Sequence, residues 1–168
     1  MTQWLGPGAG LLARLVVGGV WIVAGATKLT DPAQSVAAVR AYQLLPGATA
    51  QPVGQLLPVI EVVVGVCLVL GLLTRWVALA SALLFVAFIV GIVSVWARGI
   101  TIDCGCFGGG GYDPNAAAKY PWEVARDAAL LLASLGLARW PRTPWSLDEP
   151  LFRRAPARTA DPGRLPSS

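Results

Sequence analysis

The chain has 168 residues, of which 55% are hydrophobic and only 13% charged, about half the charged fraction of a soluble globular domain. Together with a mean hydropathy of +0.63, this composition excludes an ordinary soluble domain and indicates an integral membrane protein. The net charge of +4 does not indicate nucleic-acid binding, because six of the 13 Lys and Arg residues lie at or after position 139, a distribution typical of a cytoplasmic flank. The absence of His excludes Ser-His and Cys-His catalysis.

Four hydrophobic segments predict an all-α fold, a bundle of four transmembrane helices. The spans are expected at about residues 11–29, 54–73, 76–97 and 122–140. Trp76 and Trp96 are 20 residues apart, which is ~30 Å of helix and matches the hydrocarbon thickness. Trp122 and Trp140 bracket the fourth span in the same way. Residues 1–140 then form the transmembrane domain, and residues 141–168 form a disordered, Arg- and Pro-rich cytoplasmic tail.

The sequence also predicts the structure of the three connections between the spans. Asp31 followed by Pro32 predicts the start of a short helix on the membrane surface, which Leu45-Pro46-Gly47 ends. The second connection is expected to be only Thr74-Arg75. The third runs from residue 98 to residue 121 and includes a flexible stretch at residues 108–111.

The distribution of positive charge predicts the orientation of the chain. An even number of spans places both termini on one side, and the Arg-rich tail assigns that side to the cytoplasm. The loop between the third and fourth spans is then extracytoplasmic, where thiols can be oxidised.

That loop contains Cys104-Gly105-Cys106. Residues two apart have Cα atoms ~5.5–7 Å apart, near the range that a disulfide permits. Such a small ring is expected to be strained, and a strained, exposed disulfide is the exchangeable kind. Arg98 and Lys119 lie nearby in sequence and would favour the thiolate. The alternatives are a merely structural pair and uptake of a thiophilic metal ion. Cys67, inside the second span, is expected to be a core residue.

Charged residues within the spans form a second group. Lys28 closes the first span, Glu61 lies about two turns inside the second, and Glu123, Arg126 and Asp127 open the fourth. Charges at membrane depth normally pair or serve a site. The expected pairs are Lys28 with Glu61, and Arg126 with Asp127 or Glu123. The alternative is that these residues only hold helices together.

Several motifs in fixed order carry a resemblance to a known family. They are Ala24-Gly25-Ala26-Thr27-Lys28-Leu29 with Asp31-Pro32, Tyr42-Gln43-Leu44-Leu45-Pro46, Leu57-Pro58 with Glu61, Asp103-Cys104-Gly105-Cys106-Phe107-Gly108, and Arg126-Asp127. In this set, which covers roughly residues 11–138, the chain resembles the MauE branch of the DoxX-like membrane proteins. More distantly it resembles the four-helix, quinone-linked oxidases related to vitamin K epoxide reductase. Those proteins use Cys-x-x-Cys and a second cysteine pair, which this chain lacks.

The resemblance implies a multi-pass protein of the bacterial plasma membrane that supports extracytoplasmic disulfide chemistry, as in methylamine dehydrogenase maturation. Its partner would be a thioredoxin-like protein or a secreted, disulfide-containing client, and a quinone is the cofactor considered. The expected activity is that of a thiol–disulfide oxidoreductase with Cys104 and Cys106 as catalytic residues. The supporting polar cluster comprises Lys28, Glu61, Asp103, Arg126 and Asp127, and no metal is expected. A non-catalytic assembly factor and a metal-handling protein are the alternatives.

Overall fold

The computed structural model describes residues 7–105 and 110–140. These residues form five α-helices: α1 (Pro7–Leu29), α2 (Pro32–Ala41), α3 (Gly47–Leu70), α4 (Thr74–Ala97) and α5 (Ala116–Arg139). α1, α3 and α4 are each long and apolar enough to cross a membrane. The predicted all-α membrane fold is therefore confirmed for three helices. The tail at residues 141–168 lies outside the described residues.

Two of the long helices begin six or seven residues before the position that the sequence predicted. α3 begins at Gly47 rather than at about residue 54, and α5 begins at Ala116 rather than at 122. In each case the predicted boundary lay just after a proline, Pro52 or Pro121, and the helix instead continues through that proline. Each proline is the sixth residue of its helix. Its missing N–H therefore removes one hydrogen bond near the start of the helix. Membrane helices tolerate such a loss where neighbouring elements compensate.

The turn between α3 and α4 lies at residues 71–73 and not at Thr74-Arg75, since Thr74 is already the first residue of α4. Gly71 ends α3 in the left-handed conformation, with φ +69°, which glycine adopts at little cost. The guanidinium of Arg14 lies against it and donates to the carbonyls of Leu68 and Val69, both at 3.0 Å. The buried Arg14 thus stabilises the carboxyl end of α3.

α1 and α3 pack antiparallel at close range because glycines line their interface. A Cβ atom on Gly25 would lie 2.6 Å from the carbonyl oxygen of Pro58, and one on Gly65 would lie 2.7 Å from that of Gly18. Small residues let helix backbones approach closely in membranes. This contact fixes the register of the two helices and therefore the depth of every polar group on them.

A chain of polar side chains joins α1, α4 and α5 in the core. The indole N–H of Trp21 donates to Ser81 Oγ at 2.7 Å, and the hydroxyls of Ser81 and Ser134 lie 3.0 Å apart. All three side chains are buried. Each polar atom is satisfied within the bundle, as burial among apolar side chains requires.

α2 begins as predicted, because Asp31 accepts a hydrogen bond from the backbone N–H of Gln34 at 3.0 Å. It packs across the first turns of α3, where Ser35 Oγ donates to the Gly54 carbonyl at 2.7 Å. Val36 is buried in this contact. α2 therefore covers the amino end of α3. Its position on a membrane surface stays a prediction.

Candidate functional site

The loop that carries the cysteines is pinned at its base. Ile102 and Tyr112 form an isolated antiparallel bridge. The backbone N–H of Asp103 donates to the Gly111 carbonyl at 2.9 Å, and that of Asp113 donates to the Thr101 carbonyl at 3.2 Å. These bonds hold Gly110 and Gly111 next to residues 101–103. The stretch at residues 108–111 was expected to be flexible, but its carboxyl end has a defined structure.

Two tyrosines fix the cysteine segment to the helices. The Tyr42 hydroxyl, at the end of α2, donates to the Cys104 carbonyl at 2.7 Å. The Tyr120 hydroxyl, in the second turn of α5, accepts the Ile102 N–H at 3.0 Å and lies within hydrogen-bond distance of the carbonyls of Ile100 and Ile102. The backbone around Cys104 is therefore held from two sides.

Cys104 is buried, with only 7% of its surface exposed. It packs in a cluster with Ile92 and Val95 of α4 and with Ala116 and Tyr120 of α5. The expectation of an exposed cysteine is wrong for this residue, because the pinned loop folds it onto the ends of α4 and α5. Cys106, the other predicted catalytic cysteine, lies outside the described residues.

The side chains of Cys104 and Glu123 lie close enough to interact. Sequence reasoning placed Glu123 only as an alternative partner of Arg126. The helical period could have placed Glu123 beside the cysteine loop, since Glu123 lies three residues after Tyr120 and shares its face of α5. The second carboxyl oxygen, Oε2, is buried and has no hydrogen-bond partner.

The chain turns sharply directly after Cys104. Gly105 has φ +66°, the left-handed region in which a larger residue would be strained. Its N–H donates to Asp103 Oδ1 at 2.9 Å. Asp103, predicted as part of the polar cluster, therefore shapes the turn between the two cysteine positions.

The two cations expected to favour a thiolate have other hydrogen-bond partners. Arg98 donates to the carbonyls of Ser94 and Tyr42. Lys119 donates to Asp113 Oδ2 at 2.6 Å, and this bond holds the pKa of the Asp113 carboxyl below its ordinary value and raises the pKa of Lys119. Arg98 thus links the carboxyl end of α4 to the carboxyl end of α2. Lys119 stabilises the part of the loop that precedes α5.

Deeper in the bundle lies an ion pair between Lys28 and Glu61, with Nζ and Oε1 2.6 Å apart. Both side chains are buried, with exposures of 6% and 0%. The ammonium also lies over the ring of Phe88, 5.1 Å from its centroid. Glu61 is the fifteenth residue of α3, ~21 Å from the start of the helix, and not two turns inside it as predicted, because α3 begins earlier.

A second ion pair joins neighbours on α5. Arg126 Nη2 lies 2.8 Å from Asp127 Oδ1, and the Asp127 side chain is 4% exposed. Asp127 Oδ2 and Glu61 Oε2 are both buried without a hydrogen-bond partner. A buried orphan oxygen is costly, so each marks a place where a proton or a water molecule would be favourable.

Glu61, Arg126 and Asp127 line one small pocket together with aromatic side chains. These aromatic residues are Trp21, Phe85 and Phe88. The pocket has room for about one water molecule, and a quinone ring would enter only if side chains moved. Among residues 7–105 and 110–140, no three His, Cys, Asp or Glu side chains are grouped so that they could hold a metal ion.

α5 connects the two groups of polar residues. Glu123, beside Cys104, lies four residues before Asp127, so the two carboxyl groups are one turn apart, ~6 Å along the axis. Asp127 in turn lines the pocket with Glu61. The geometry thus brings the predicted residues Lys28, Glu61, Arg126 and Asp127 together. Cys104 and Asp103 lie in a separate layer above them, linked through Glu123.

The chain is similar over most of its length to one known protein family. Residues 7–140 match the family model described as methylamine utilisation protein MauE. The chain belongs to the MauE family. Its similarity to a named member, the methylamine utilization protein MauE of Paracoccus denitrificans, is 33% identity over 127 residues. That alignment covers 74% of this chain and 66% of the relative, so the chain spans just under two thirds of the curated protein's length. No solved structure matches. The MauE resemblance predicted from the sequence is confirmed.

Proposed function

We propose that this MauE-family membrane protein carries out thiol–disulfide exchange for secreted proteins, through Cys104 and Cys106. The observation that carries the proposal is the setting of Cys104. Its backbone is held by Tyr42, its side chain interacts with that of Glu123, and a glycine with positive φ follows it. A cysteine that served only as an apolar core residue would need neither the carboxyl partner nor the turn toward a second cysteine.

The proposed topology has four spans, with α5 as the fourth. α5 is not among the helices apolar enough to span by composition, because its first three turns contain several charged residues. Arg126 and Asp127, however, pair with each other and line the inner pocket. The outer face of α5 exposes Leu132 and Leu135, 69% and 44% exposed. At 24 residues, α5 is ~36 Å long and sufficient to cross the hydrocarbon core.

With four spans, both termini are proposed to be cytoplasmic and the cysteine loop extracytoplasmic, in a bacterial plasma membrane. The net excess of Arg at the carboxyl end supports that side as the cytoplasm. The partner is proposed to be a thioredoxin-like protein or a secreted client with disulfides. The matching family and relative are named for methylamine utilisation, and a client in that process is part of the proposal.

The chemistry is disulfide exchange with a partner. A thiolate of the pair attacks the partner's disulfide, a mixed disulfide forms, and the partner's other sulfur leaves as a thiolate. The second cysteine then displaces the partner, so that the pair becomes oxidised and the partner reduced. In the reverse direction the pair donates its disulfide to a reduced client. The same residues serve both directions.

Loss of the cysteines in cells tests this function. In a strain lacking the protein, the Cys104→Ser/Cys106→Ser double variant is expected to leave secreted disulfide proteins as immature as the deletion does. A Cys67→Ser variant is the matched control, because Cys67 lies on α3, and it is expected to restore maturation. Full rescue by the double variant would instead identify a non-catalytic assembly factor. Stoichiometric binding of a thiophilic metal ion to the purified wild-type protein, abolished in the double variant, would identify metal handling.

A further inference from the structure

We propose that the small pocket inside the bundle binds one uncharged, water-sized molecule that donates hydrogen bonds to both Glu61 and Asp127. Water is the molecule of this class that fits the charge and the size of the pocket. The bound molecule joins α3 to α5. The inference does not depend on the cysteines and goes beyond the proposed exchange function.

The pocket lies where the four long helices face one another, near the middle of each. α1 packs mainly against α3, and α4 packs mainly against α5. Glu61 lies on α3 and Asp127 on α5, two helices that make little direct contact. Both residues nevertheless line the same pocket. Their side chains therefore reach it from opposite sides of the bundle.

Each of the two carboxyl groups has one paired oxygen and one oxygen without a partner. Glu61 Oε1 lies 2.6 Å from Lys28 Nζ, and Asp127 Oδ1 lies 2.8 Å from Arg126 Nη2. Glu61 Oε2 and Asp127 Oδ2 are buried and accept no hydrogen bond from the described residues. Lys28 does not line the pocket, so Oε2 is the Glu61 oxygen on the pocket side. Because a buried acceptor without a donor is costly, a ligand that donates to both oxygens is stabilised.

The side chains that line the pocket give no hydrogen bond to these two oxygens. The phenylalanine rings are apolar, and the indole N–H of Trp21 already donates to Ser81 Oγ at 2.7 Å. Arg126 donates to the other oxygen of Asp127, Oδ1, through both Nε and Nη2. The donors that Glu61 and Asp127 lack are therefore expected to come from a bound molecule.

The charges around the pocket indicate that this molecule is uncharged. Lys28 balances the charge of Glu61, and Arg126 balances that of Asp127. A further cation would leave one positive charge without a counter-ion in apolar surroundings, which is costly. An anion would face two carboxyl oxygens and be repelled. A neutral donor avoids both penalties.

The size of the pocket narrows the class to a molecule like water. The pocket has room for about one water molecule. A buried water makes roughly two to four hydrogen bonds, and Glu61 Oε2 and Asp127 Oδ2 supply two acceptors. A water molecule that bridges two protein groups is nearly as favourable as a direct hydrogen bond. It would connect two helices that otherwise have little contact.

Solid-state NMR of the full-length protein in lipid bilayers tests the site directly. With the side-chain carboxyl carbons of Asp and Glu isotopically labelled, magnetisation is transferred from water protons to each carboxyl carbon. Glu61→Gln and Asp127→Asn assign the two signals. Both carboxyl groups are expected to receive magnetisation from water, as the exposed Asp31 does, although both are buried. Absence of transfer to either group would overturn the proposal.

Ala24→Val is the decisive variant, because Ala24 lines the pocket and is 4% exposed. The two added methyl groups occupy the space of the ligand. The signals of Glu61 and Asp127 are then expected to lose the transfer from water, while that of Asp31 keeps it. Ala26→Val is the matched control, since it makes the same change on the exposed face of α1. It is expected to leave all three transfers unchanged.

Lys28 provides a second route for magnetisation to reach Glu61. Its ammonium protons exchange with water, and the ammonium group contacts Glu61 outside the pocket. Transfer to Glu61 that survives in Ala24→Val would come from this ammonium group and would overturn the proposal. Val20→Ile fills the pocket from one turn earlier on α1. It carries the same expectation if Ala24→Val does not fold.

Two further results would show that the site does not hold a neutral ligand. The melting temperature in detergent is expected to be the same in ammonium chloride and in sodium chloride of equal ionic strength. A saturable rise with ammonium, abolished by Asp127→Asn, would show that the site takes a cation. A carboxyl signal of Glu61 or Asp127 at the chemical shift of a protonated acid would show that a proton satisfies the oxygen instead. Either result would overturn the assignment.

Discussion

Lys28 and Glu61 meet because each side chain leans toward the amino end of its own helix. α1 and α3 are antiparallel, so Lys28 at the end of α1 reaches into the bundle while Glu61 on α3 reaches toward it. The result is the 2.6 Å contact of two buried side chains. A buried pair of this kind contributes little net stability compared with apolar packing, but leaving one member alone is strongly unfavourable.

Breaking this pair is predicted to show coupling. Glu61→Gln and Lys28→Met are each expected to lower the free energy of unfolding by about 3 kcal/mol, the low end for a buried ion pair that loses one partner. The double variant is expected to cost clearly less than the sum, because neither charge is then left alone. Reversible unfolding in mixed micelles measures all three. Strictly additive effects would contradict the pair. Asp113→Asn, at a pair whose lysine is exposed, is the control and should have a much smaller effect than either single variant.

Because α1 and α3 are in close contact, a larger side chain at this contact is expected to destabilise the pair of helices. Gly25→Ala is expected to destabilise the protein by about 1–3 kcal/mol, as overpacking does, because its Cβ would lie 2.6 Å from the Pro58 carbonyl oxygen. Gly19→Ala is the matched control on the same helix, where a Cβ meets nothing within 4 Å. It should be neutral or slightly stabilising. Equal stability of the two variants in detergent unfolding would show that the helices are not in close contact.

Hydropathy was sufficient to predict which segments form the long helices, but not the residues at which α3 and α5 begin. The apolar run of α4 gave its bounds to within two residues. Pro121 was interpreted as the end of the third connection, and Pro52 lies just before the predicted start of the second span. Both prolines lie inside helices, whose first turns are supported by the cysteine loop and by α2. The burial of Cys104 and the Trp21–Ser81–Ser134 chain depend on contacts between residues far apart in sequence, which no local pattern encodes. By contrast, Lys28 and Glu61 were correctly paired, because few charges share that depth.

At the scale of the whole molecule, the number of spans decides the orientation of the site. Single cysteines in a background without Cys67, Cys104 and Cys106 test it, at the exposed positions Tyr112, Arg75 and Trp140. Tyr112→Cys, in the cysteine loop, is expected to react with a membrane-impermeant maleimide on intact cells. Arg75→Cys lies at the start of α4 and Trp140→Cys at the end of α5, both away from the cysteine loop. These two variants are expected to react only after lysis. Labelling of Trp140→Cys on intact cells together with Tyr112→Cys would show that α5 does not cross the membrane.

The proposed function requires that Cys104 and Cys106 form a disulfide that exchanges with other proteins. A redox titration of the purified protein against glutathione and dithiothreitol, read by alkylation and mass spectrometry, tests this requirement. We expect a reversible two-electron transition at a potential less reducing than that of a structural disulfide, which lies below about −300 mV. We also expect nearly equal melting temperatures for the oxidised and reduced forms, since so short a ring removes little chain entropy. A pair that forms no disulfide at any potential, or one that resists reduction and whose loss unfolds the bundle, would rule out the proposed function.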